Sequence, residues 1–181
     1  MNHVLGGSFT SRINMNLRED KHWSYGARTL VFDAAGPRPF TVLAPVQTDK
    51  TKESMVEIAN EMRGIVGAAP VTADELDKAK RAQTLRLPGQ WETNAAVSGS
   101  IAEMVRFGLG LDFYETYASD VESLSLDQLQ SVTGATVHPD DLIWVVVGDR
   151  AKIEPGIRDL NWGPIVVIDP EGNVVEGPAA D

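Results

Sequence analysis

Cysteine is absent from the 181 residues, which removes disulfides, thiolate metal sites and cysteine nucleophiles together. Histidine is scarce. The fourth residue after His3, His22 and His138 is Gly7, Gly26 and Leu142, so neither H-E-x-x-H nor H-x-x-E-H exists here. Positive charge is also in short supply: 16 Lys plus Arg face 26 Asp plus Glu, and the net charge of -10 repels a polyanion. Nucleic acid is therefore excluded from the expected partners. Long apolar runs are missing too, since the longest, Leu142 to Val147, is far below the roughly 20 residues that span a bilayer. Met1 leads into Asn2 and His3 rather than a signal-peptide core, so neither a membrane nor an export route is expected from this chain itself.

What remains suits a folded chain: 43% hydrophobic and 23% charged residues are close to globular averages, and the length fits one ordinary domain or part of a larger one. Charge is unevenly distributed. Residues 1–50 carry a net +2 and residues 101–150 a net -7.

Phe9, Ile13 and Leu17 recur at steps of four and predict a helix over about 8–19, beginning just after Gly6 and Gly7. Trp23 to Phe32 and Phe40 to Val46 favour extended structure around Gly36-Pro37-Arg38-Pro39, which reads as a hairpin. Met55, Ile58, Ala59, Met62, Ile65 and Val66 form the stripe of a helix lying on a core. Thr72-Ala73-Asp74-Glu75 is a capping box, and its helix covers about 73–86 before Pro88. A helical segment over 92–106 breaks at Gly108-Leu109-Gly110, before an aromatic turn at Phe113, Tyr114 and Tyr117. Ser125-Leu126-Asp127-Gln128 starts another helix, over 125–136. Leu142 to Val147 is a β-branched run that predicts a strand, and Ile165 to Ile168 predicts a further short one. Strands at both ends with helices between them give an α+β fold, a mostly antiparallel β-sheet with helices packed on one face.

Chemistry is sparse. His138 beside Asp140 and Asp141 reads as a turn before a strand rather than a metal cluster. Glu19 and Asp20 diverge as neighbours and make a poor acid/base pair. Gly6-Gly7-Ser8 offers free N–H groups to an anion but lacks the rest of a phosphate loop. Arg18 and Tyr25 are more informative. A helix end and an adjoining strand start can aim them into one space, where a planar guanidinium and a phenolic O–H suit a carbonyl or developing oxyanion. On composition alone, dipole complementation by the arginine and packing of the tyrosine explain the same residues.

The stretch LGGSFTSRINMNLREDKHWSYGA, from Leu5 to Ala27, resembles the signature region of the C-terminal, non-zinc-binding domain of the insulinase, pitrilysin and mitochondrial-processing-peptidase family of zinc metallopeptidases. The similarity continues in order through Val71 to Lys80 and the Leu142 to Asp149 segment. It implies duplicated α+β domains closing around a chamber, with an H-x-x-E-H zinc site on one domain and an Arg and a Tyr on the other. Those two map onto Arg18 and Tyr25, which in the family bind the substrate backbone and stabilise the intermediate. The resemblance thus implies a non-catalytic domain of a zinc-dependent metalloendopeptidase acting on peptides or unfolded polypeptide. This chain itself supplies no catalytic residue and binds no cofactor or metal; zinc belongs to a partner domain or subunit. The alternative within the family is an inactive scaffold or peptide-binding subunit.

This sequence departs from the family pattern in three ways. It lacks the inverted zinc motif; the family's usual strand and helix before Leu5-Gly6-Gly7 are missing; and His22 stands where the family often has glycine. The expectation is a domain over 1–168, partial at its front, with an acidic tail over 169–181. A sheet edge left unpaired predicts that the isolated chain self-associates or awaits a partner. The sequence leaves the compartment open; the resemblance adds that bacterial members are often exported, to the periplasm or beyond.

Overall fold

The apolar stripe read from the central helix sets the layout. In the computed structural model, which describes residues 1–177, helix α3 spans Thr51–Val66 and buries Met55, Ile58, Ala59, Met62 and Ile65. Around it lie α1 (Asn2–Leu5), α2 (Arg12–Asn14), β1 (Arg28–Val31), β2 (Phe40–Leu43) and α4 (Ala73–Thr84). One core unites them: Leu5, Ile13 and Leu17 are wholly buried, and Ile58, Met62, Val71 and Leu76 close over them. Burying each such side chain contributes about 1.5–3 kcal/mol, so this cluster carries the stability of the first half of the chain.

The predicted hairpin is present, with Arg28 opposite Leu43 and Val31 opposite Phe40, and a further bridge between Ser24 and Val46. Both capping boxes are closed: Thr72 with Glu75 starts α4, and Ser125 with Gln128 starts α8 (Leu126–Thr136). Between them lie the single turn α5 (Leu87–Gln90), α6 (Asn94–Phe107) and α7 (Phe113–Ser123). The aromatic turn is thus a three-turn helix. Phe113, Tyr114 and Tyr117 pack edge-on and tilted against one another along it.

The architecture is α+β, with the strands divided between two separate antiparallel hairpins rather than gathered into one sheet. The second joins β3 (Val167–Ile168) to β4 (Val174–Glu176) through a turn in which the Asp169 carboxylate accepts from the Asn173 backbone N–H at 2.7 Å. The turn and β4 fall in the segment read as an acidic tail, over 169–181, whereas β3 precedes it; residues 178–181 lie outside the described residues. Leu142 to Val147 belongs to no strand, which corrects the expectation. Leu142 and Trp144 pack on the core, while Ile143, Val145 and Val147 are 93%, 77% and 93% exposed. β-Branched residues hold the backbone extended locally; a ladder also needs a neighbouring strand, and none lies beside this run among the described residues. A helix that the sequence reading missed, α9 (Arg150–Arg158), follows at once and packs on α3.

Gly6 has a packing reason. A Cβ there would sit 2.5 Å from the Thr29 backbone nitrogen, and the Gly6 carbonyl accepts the Thr29 N–H at 3.0 Å. Only glycine lets α1 and β1 approach this closely. Gly6→Ala is expected to lower unfolding free energy by about 1–3 kcal/mol, read as a lower urea midpoint with unchanged slope. The Gly6 and Gly7 N–H groups both donate to the Asn2 carbonyl, so they are not free for an anion.

Candidate functional site

The stretch from Phe9 to Ala27 folds in an unusual way. Helix α2 does not continue with α-helical spacing; Met15–Asp20 forms a π-helical turn, closed by the Lys21 N–H donating to the Asn16 carbonyl at 3.0 Å. Such a turn accommodates one extra residue, and π-turns cluster at functional positions. The chain then reverses at His22, whose φ of 56° is left-handed. This accounts for the departure seen in the sequence, because the position calls for glycine and a histidine occupies it at a conformational cost. His22 Nδ1 lies 3.1 Å from the Arg18 carbonyl, and the Trp23 and Ser24 N–H groups converge on the Leu17 carbonyl. Gln47 then donates to the Trp23 carbonyl from its backbone and to the His22 carbonyl from its side chain, fixing the turn to the segment that follows β2.

The turn brings Arg18 and Tyr25 together. The Arg18 guanidinium carbon lies 5.4 Å from the centroid of the Tyr25 ring and 4.5 Å from that of Phe9, so the cation meets two aromatic rings. Arg18 Nε is also 3.2 Å from a Glu19 carboxylate oxygen. Tyr25 is 90% exposed and Phe9 60% exposed, so the cluster faces solvent and is open to a ligand. Phe9 was expected on the buried stripe with Ile13 and Leu17. It lies instead in the turn before α2, out of helical phase, and turns outward toward Arg18.

Arg12, the other arginine of the segment, points elsewhere. It donates to Glu75 at 2.7 and 2.6 Å and to the carbonyls of Ala69 and Pro70 at 2.5 and 3.0 Å. The Glu75 carboxyl is held down at about 2, first by the Arg12 hydrogen bonds and then, against the cost of burial, by the backbone and hydroxyl of Thr72. Glu75 thus serves both as capping partner in α4 and as the counter-charge of α2. This is structural work.

Among the described residues no group of three or more His, Asp or Glu is placed to hold a metal ion, and the residues present do not fit a zinc site. His138, Asp140 and Asp141 form a turn in which the Asp141 N–H donates to the His138 carbonyl, and Asp140 faces Arg63 at 3.4 Å. Glu19 and Asp20 are solvated, Glu19 paired with Arg18. No helix among the described residues is long and apolar enough to cross a membrane.

Residues 1–83 match the family model of the peptidase M16 inactive domain. No curated protein matches the chain. Among solved structures it is similar to a peptidase M16 inactive domain from Pseudomonas fluorescens, with a TM-score of 0.68 at 21% identity over 76% of this chain and 33% of that one. A protease from Helicobacter pylori aligns with a TM-score of 0.64 at 20% identity, over 74% of this chain and 32% of the other. A conserved protein from Enterococcus faecalis V583 aligns at 0.62 and 17% identity, over 73% and 30%. These likenesses establish the fold, and the chain spans about a third of the length of each.

Proposed function

We propose, from the match of residues 1–83 to the family model of the peptidase M16 inactive domain, that this chain is such a domain and completes a metallopeptidase site without supplying the metal. Arg18 and Tyr25 are the substrate contacts in this reading. The observation that carries it is the juxtaposition of the Arg18 guanidinium and the Tyr25 ring on one exposed face, produced by the π-turn and the reversal at His22. Guanidinium N–H and phenolic O–H are fixed donors that match a peptide carbonyl and, better, an oxyanion formed from it. Zinc activates water when bound, and an H-x-x-E-H partner domain or subunit would hold it.

The reading is tested by incubating an unfolded polypeptide with zinc and either this chain, its zinc-binding partner, or both. Cleavage by the mixture alone is the expected result. Cleavage by this chain alone would refute it, and a mixture that binds polypeptide without cutting it would favour the inactive, peptide-capturing alternative.

Self-association of the isolated chain belongs to the same reading. Ile143, Val145 and Val147 are apolar and exposed, with acidic Asp140 and Asp141 before them and Arg150 and Lys152 after. Two copies aligned antiparallel along this run would set each acidic end against the other's basic end and stack the apolar residues across the pair. Light scattering is expected to show a mass that grows with concentration, and Val145→Lys to suppress that growth. A wild-type chain that stays monomeric would contradict it.

A further inference from the structure

Two residues with no place in the substrate reading hold Arg18 where it is. The guanidinium meets two rings, and the nearer is Phe9 at 4.5 Å rather than Tyr25 at 5.4 Å. Phe9 is 60% exposed, so it gains little from burial, and its ring meets the cation instead. Phe9 is in turn anchored by Asn14. That side chain is 4% exposed and uses both ends of its amide: Nδ2 donates to the Phe9 carbonyl at 2.6 Å, and Oδ1 accepts the Ala27 N–H at 3.0 Å. Ala27 lies two residues past Tyr25. Asn14 therefore ties together the backbones that carry the two rings met by Arg18.

We propose that Phe9 and Asn14 are positioning residues for Arg18: Phe9 lays its ring against the guanidinium alongside Tyr25, and Asn14 sets the separation of the two rings. Glu19 is the competing partner, 3.2 Å from Arg18 Nε, and without the Phe9 ring the guanidinium turns toward that carboxylate. The consequence for ligand binding rests on the reading of Arg18 as a substrate contact; the geometric part does not.

The test uses the full chain, with the Arg18 Nε–H resonance followed by NMR and binding measured to reduced, carboxymethylated lactalbumin as the unfolded polypeptide. Phe9→Leu keeps apolar bulk and removes the ring. It is expected to move the Arg18 resonance downfield, out of the ring current, and to weaken binding roughly 2–5-fold, the equivalent of one exposed cation–π contact. Phe9→Tyr is expected to preserve both, and Asn14→Ala to displace the resonance in the direction seen for Phe9→Leu. An unmoved resonance in Phe9→Leu, or equal behaviour of the Leu and Tyr variants, would overturn the proposal. A moved resonance together with undiminished binding by Arg18→Ala would uphold the positioning role and refute the substrate reading.

Discussion

Arg18→Ala in the assembled peptidase is expected to lower turnover roughly 10²–10³-fold, and Tyr25→Phe to lower it by a similar or smaller factor. Both donors reach out from a solvent-facing cluster, so inside a closed chamber they would meet substrate in a medium far less polar than water, where each hydrogen bond to developing charge is strengthened. A contact made chiefly in the transition state shows as a loss in kcat, whereas one made equally with bound substrate shows as a rise in KM. The expected loss lies in kcat for both variants. Arg18→Lys separates charge from shape: a lysine restores the positive charge but neither the planar fork nor its contact with Phe9 and Tyr25. Its turnover is expected to fall between those of the wild type and the alanine variant. Steady-state kinetics on an unfolded polypeptide would decide it, and unchanged kinetics for Arg18→Ala and Tyr25→Phe would remove both residues from the site.

The second large effect concerns stability. Arg12→Ala is expected to cost on the order of 2–4 kcal/mol, because it leaves the Glu75 carboxylate and the carbonyls of Ala69 and Pro70 without their donor at a half-buried junction. The same junction gives the protein an acid-sensitive component. Glu75 has its pKa lowered from the ordinary 4.5 to about 2, so its contribution is fully present above pH 4.5 and is lost as the pH falls toward 2. Within that window the unfolded chain takes up a proton that the folded chain refuses. Urea midpoints measured between pH 6 and pH 2.5 should therefore fall less steeply for Glu75→Gln than for the wild type. Parallel slopes would show that the pair is not linked to folding.

The parts of the fold that could be read in the sequence are those whose determinants are local. The α3 stripe lies within one helix, and each capping box closes over three residues, Thr72 to Glu75 and Ser125 to Gln128. The hairpin announces itself by a Gly-Pro-rich break between two extended runs. What escaped has non-local or off-period causes. Steps of four group Phe9 with Ile13 and Leu17, but Phe9 sits in the turn before α2, where helical spacing does not apply, and faces Arg18. The role of Arg12 depends on Glu75, 63 residues away, and no spacing rule reaches that far. Helix α9 was masked by Pro155 and by a run of charges with a single buried apolar residue, Ile153; Asp149 in the N-cap position was the signal available. For Leu142 to Val147 the residue types specify an extended backbone, whereas pairing depends on what stands beside it.

For the site, Arg18 and Tyr25 were legible only as a pair that a helix end and a strand start can bring together. The reversal at His22 is the physical step that does so, and its left-handed φ could be suspected from a histidine standing where the related sequences often carry glycine. Phe9 and Asn14 carried no comparable signal.

The division of labour between a zinc-holding partner and this chain is tested most directly by measuring zinc content and turnover together in the reconstituted complex, wild type against Arg18→Ala. The account predicts full zinc occupancy in both and a turnover lowered only in the variant. Zinc lost along with the arginine, or turnover that survives without it, would contradict the account.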